Sequence, residues 1–189
     1  MALVLGREKV ESGIEPGAET AQHLRLAISE VWDVVVNHSA SRFPWSDDTA
    51  SSTGDTWMTD AHLVIAEQLL VAAANRLSRV IETPAGETPF LSAVHITWPP
   101  RIPPGMASGV IARQTSQAAE RFAQMLEDMT PRDARRACTS DGGWDAVGDL
   151  VTDIMARVEL HLHAVVDPPG RHDGAGPDRL RSDLVGRTQ

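Results

Sequence analysis

The stretch "DAHLVIAEQLLVAAANRLSRVIE", residues 60–82, limits the fold more than any other part of the chain. At ~100° per residue it gathers His62, Ala66, Leu69, Leu70, Ala73, Leu77 and Val80 into one broad arc over about six turns. Three further stretches share that periodicity. Residues 21–40, "AQHLRLAISEVWDVVVNHSA", set Leu24, Ile28, Val31, Val35 and His38 at helical steps, with Thr20 placed to cap. Residues 108–129 put Ala118, Phe122, Met125 and Met129 on one side. Residues 144–167 carry an arc of Leu150, Val151, Ile154, Met155, Val158, Leu162, Val165 and Val166, ended by Pro168 and Pro169. Four long helices without a convincing set of strands predict an all-α fold, a four-helix bundle of the up-down kind with long crossovers.

The connections follow from punctuation residues. Pro44 and a Ser/Thr/Asp cluster make residues 41–55 a loop, and six prolines across residues 84–107 rule out a continuous helix there. That second segment is expected to cross the body, with one short extended stretch at "AVHITW", and its length suits a functional or wrapping loop. Thr130 and Asp133 have capping-box spacing with Pro131 at the first helical position, which predicts a short extra helix at 130–138, followed by a turn at "TSDGG". The expected organisation is an N-terminal extension at 1–19, a helical bundle at 20–167 and a mobile tail at 168–189.

A formal charge of −9, from 26 acidic and 17 basic residues, works against nucleic acid and anionic membrane as partners, since both are repelled at long range. The single cysteine, Cys138, excludes an internal disulfide and a thiolate metal cluster, and it is read as a small structural residue. The apolar runs are too short for a signal peptide or a membrane span, so a cytoplasmic location is expected. A small-molecule substrate is the expected partner, with a homodimer left open.

Any metal site must therefore use imidazole and carboxylate, which draws attention to "ARVELHLHAVVD", residues 156–167. Glu159 and His163 are four apart and stack on one helix face at the edge of the apolar arc, while His161 falls inside it, about 160° away. Glu159 and His163 can share an ion; His161 cannot readily join them. Such a pair is also an ordinary border feature of a buried helix, and His62, inside another arc, also fits a hydrogen-bonded core histidine. His161 is read as a core histidine or a supporting group, His38 as a reserve ligand, and His23, His95 and His172 as lacking a partner pattern. Trp32, Trp45, Trp57, Trp98 and Trp144 are read as core or rim packing, with a substrate-facing wall as the alternative.

Taken together, "DAHLVIAE", "RFAQMLEDMTPRDARRACTSDGGWDAVGDLV" and "RVELHLHAVVD" resemble the DinB/YfiT-like superfamily of four-helix metalloenzymes, within it the branch similar to the N-terminal domain of mycothiol-dependent maleylpyruvate isomerase. The resemblance covers roughly residues 20–167. It implies metal ligation by His62, Glu159 and His163. The commoner His-x3-His pattern, in the register that ends at His161, would need a histidine at Arg157. Val166 stands where an acidic residue commonly follows the last ligand, Trp57 lies closer to His62 than is usual, and no second domain of the isomerase type is expected after Asp167.

A divalent ion, zinc or nickel, held by two imidazoles and a carboxylate would deprotonate and orient a bound thiol. The resemblance thus implies a transferase or isomerase that uses mycothiol or a similar low-molecular-weight thiol on an electrophilic small molecule. The alternatives are a small-molecule-binding or resistance bundle without catalysis, and a cyclase or lyase of a biosynthetic intermediate.

Overall fold

The computed structural model describes residues 17–41, 52–102 and 106–168. The predicted 1–19 extension and 168–189 tail fall almost wholly outside them, as do the side chain of His38 and residues Trp45 and His172. The fold is all-α: α1 (Ala18–Ser41), α2 (Ser52–Glu82), α3 (Ser108–Asp128), a single turn α4 (Pro131–Ala134) and α5 (Val147–Val166). Two short strands, β1 (Phe90–Leu91) and β2 (Thr139–Ser140), pair in parallel.

Helix α2 begins at Ser52, earlier than the predicted Asp60, and so includes part of the expected loop. Ser, Thr and Asp favour turns and helix starts alike, and composition alone does not choose between them. The capping box is formed as predicted: Asp133 N–H donates to Thr130 Oγ1 at 3.2 Å, and Thr130 N–H donates to the Asp133 carboxylate at 3.1 Å.

Helix α1 packs on α3, α3 on α2, and α2 on α5, while α5 returns to α1 through a smaller contact. Leu24, Leu69, Leu77, Phe122, Leu126 and Ile154 are fully enclosed in the shared core. One end of α2 is tied to the segment before α5, where the Arg136 guanidinium donates to the carbonyls of Val80, Thr83, Pro84 and Glu87 at 2.7–3.0 Å. Those are carbonyls at and just beyond the helix end, which lack partners within the helix. The other end of α2 meets the C-terminal half of α5, where His62 faces His161, so α2 and α5 run antiparallel.

The segment after α2 turns back along it. Arg76 donates to the carbonyls of Ala72, Ser92 and Ala93, at 2.9, 2.6 and 2.8 Å, and Trp98 reaches the ring of His62. From Arg76 to His62 is ~21 Å of helix, and from Ser92 to Trp98 is at most ~20 Å of chain, so with the reach of these side chains the stretch can follow α2 back toward its start. Its extended form was predicted at "AVHITW", but the ladder pairing lies at Phe90–Leu91 instead. The partner decides this: Thr139 N–H donates to Pro89 O at 3.0 Å, and Asp141 accepts from Ala93 N–H. At the "TSDGG" turn Gly143 takes φ +81°, a left-handed conformation natural to glycine. No helix among the described residues is long and apolar enough to cross a membrane.

Candidate functional site

The apolar arc of α5 has two flanks. At ~100° per residue, Arg157 and His161 lie on one side of the buried Val158–Leu162–Val165 row and Glu159 and His163 on the other. The first flank meets α2 and the second turns toward α1. His62 Nδ1 and His161 Nδ1 are 2.9 Å apart, with ring centroids at 5.2 Å. Glu159 Oε1 lies 3.3 Å from Nε2 of His23 on α1, and His163 is exposed to solvent.

Among the described residues the expected ligand trio is not brought together. His62 meets His161, the histidine set aside as core or support, whereas Glu159 and His163 belong to the opposite flank and do not join it. Periodicity identified the arc, but which flank faces which helix is settled by the packing of α5 between α1 and α2. In the resulting register the residue one turn before the paired histidine is Arg157, the position where a His-x3-His pattern would carry its first ligand.

A hydrogen bond between two Nδ1 atoms needs one ring to donate and the other to accept, so the pair holds a single proton between those nitrogens. Burial pushes the His62 imidazole below its ordinary pKa. Burial does the same to His161, reinforced by His62 and by the positive charge of Arg157. Both causes favour neutral rings at pH 7. On the other flank burial raises the Glu159 carboxyl, and His23 opposes that rise.

Aromatic rings complete the site. Trp98 stands 5.6 Å from His62, and Trp57 meets Trp98 edge-on at 6.1 Å. Trp57 is 42% exposed and Trp98 51%, so the imidazole pair opens onto an aromatic wall that solvent reaches. Trp144, by contrast, is buried in the core, and the buried Cys138 sits against its carbonyl. Trp57 and Trp98 take the alternative read from sequence, an exposed wall, whereas the role of Arg157 was not singled out. The available signal was the helical spacing, which sets Arg157 on the His161 flank.

The described residues do not make the three-ligand set a resident divalent ion normally needs: they contain no group of three His, Cys, Asp or Glu side chains able to hold one. An open groove of about 400 Å³ between α1 and α3 is lined by Ile28, Trp32 and Ala119 with Arg25 and Glu120. It is remote in character from the imidazole site, because its guanidinium is already held by the carboxylates of Glu120 and Glu127.

No family model, no curated protein and no solved structure matches the chain.

Proposed function

We propose that the protein is a DinB-like four-helix bundle that binds a small molecule where His62 and His161 face the Trp57–Trp98 wall. The observation that carries this reading is the imidazole pair itself: two half-buried, neutral rings hydrogen-bonded across α2 and α5 and open to solvent beside two tryptophans. Binding sites combine apolar or aromatic walls with a few converging polar groups, and this place has both. Negative net charge agrees with a small-molecule ligand in preference to nucleic acid.

A second reading, the thiol-using transferase or isomerase, draws on the same two nitrogens. Two imidazoles on one tetrahedral zinc stand ~3.3 Å apart, so the rings would part by only a few tenths of an ångström to chelate zinc or nickel. Among the described residues no third protein ligand stands beside the pair.

Side-chain imidazole NMR with a panel of small aromatic compounds, followed by zinc titration, tests the choice. The expected result is that compounds shift the His62 and His161 signals together and leave exposed His163 unmoved, with no stoichiometric zinc uptake. One equivalent of tightly held zinc, lost in both His62→Ala and His161→Ala, would overturn the proposal in favour of the metal-dependent reading.

A further inference from the structure

We infer that the ligand of the His62/His161 site is a planar acid whose carboxylate is taken by Arg157; this rests on the small-molecule reading above. The arginines of the structure supply the contrast. Arg25 is clamped by two carboxylates, with Glu120 at 2.8–2.9 Å. Arg76 donates to three carbonyls at 2.6–2.9 Å, and Arg136 to four at 2.7–3.0 Å. Each of these guanidinium groups is committed to holding the fold together.

Arg157 is not committed in that way. Its Nη1 and Nη2 reach Val94 O only at 3.4 Å, and Asp153 Oδ2 stands 3.7 Å from Nη1. A guanidinium has five donors in a rigid fork, and a carboxylate satisfies two of them at ~2.8 Å. Two long contacts leave that capacity unspent, and the loose Asp153 pair yields readily to a better aligned acid.

Position connects this guanidinium to the site. Arg157 lies one turn, ~6 Å, before His161 on the flank of α5 that meets α2. Its contact Val94 lies in the segment that leads, four residues later, to Trp98, at most ~13 Å of chain away. That bound leaves room for a one- or two-ring acid with its carboxylate at Arg157 and its flat body against Trp98 and His62. The imidazole pair is neutral and answers no ligand charge. The fixed positive group on this flank is the Arg157 guanidinium, only loosely offset by Asp153 at 3.7 Å, so an anion is the ligand charge it can answer.

The test uses 2-naphthoate, its neutral amide and 2-naphthylmethylammonium as probes, with calorimetry and side-chain imidazole NMR on the full chain. Naphthoate is expected to bind best and to shift His62 and His161. Arg157→Gln should weaken it about tenfold or more without changing the amide, and Arg157→Lys should restore part of the loss. If naphthoate and the amide bind alike and Arg157→Gln alters neither, while both still shift His62 and His161, the acid inference falls and the small-molecule reading survives. Tightest binding by the ammonium probe overturns the charge assignment in the same way. If no probe moves His62, His161 or Trp98 at millimolar concentration, both readings fall together.

Discussion

Replacing His161 with alanine removes one half of the imidazole pair, and its cost follows from the contacts. The Nδ1–Nδ1 hydrogen bond of 2.9 Å contributes about 1 kcal/mol, and loss of half-buried ring carbon from the α2–α5 seam adds a comparable amount. We predict that His161→Ala loses about 1.5–2.5 kcal/mol at pH 7.5, against less than about 0.5 for His163→Ala on the exposed flank. The gap should depend on pH with a definite sign. Both folded-state pKa values lie below the ordinary 6.5, so the pair's contribution is complete above pH 6.5 and is lost as pH falls toward the folded values. Each ring that is charged in the unfolded chain and neutral in the folded one adds up to ~1.4 kcal/mol per pH unit, an upper bound because both rings are partly solvated. The parent carries two such rings and the variant one. The difference between them should therefore shrink between pH 7.5 and 5.5, while Glu159 and the other titrating groups largely cancel. Urea denaturation of the three proteins across that range measures it. Equal losses in His161→Ala and His163→Ala, or a gap that does not change with pH, would refute the assignment of the α5 flanks.

Three further outcomes are expected. Glu159 is raised above its ordinary value near 4.5 chiefly by burial, so its contribution is present below that pH and lost as pH rises; Glu159→Gln should gain on the parent by a few tenths to about 1 kcal/mol between pH 4.5 and 7.5. Loss of ground over that range in the same denaturation assay would mean that the His23 contact outweighs burial. Arg136→Ala, which strips four carbonyl contacts from the end of α2, should cost about 2–4 kcal/mol and speed amide exchange at residues 79–83, whereas an unchanged exchange pattern would show the anchor to be dispensable. Phe122→Ala empties a fully buried position and should cost about 3–5 kcal/mol by thermal or chemical denaturation, with a loss below about 1 kcal/mol contradicting the enclosed core described for α3.

Local periodicity determined a good deal about this protein by itself. The arcs of residues 21–40, 60–82, 108–129 and 144–167 correspond to α1, α2, α3 and α5, because an apolar face at helical spacing has few other ways to be buried. The capping box at Thr130 and Asp133 was legible for the same local reason, and six prolines identified the non-helical crossing segment. His62 was legible on an inward-facing arc of α2, while its contact with His161 was not. Spacing along one helix gives angles about that helix only; it does not say which flank meets which neighbour. Tertiary packing alone turned the His161 and Arg157 flank of α5 toward α2, sent Glu159 to His23 and left His163 in solvent. It also brought Trp98 back to His62 along a segment fastened by Arg76, and paired Phe90–Leu91 with Thr139–Ser140 far away in sequence. Each of these contacts joins residues whose mutual distance depends on how the helices sit against one another, and one sequence read in isolation holds the faces but not their arrangement.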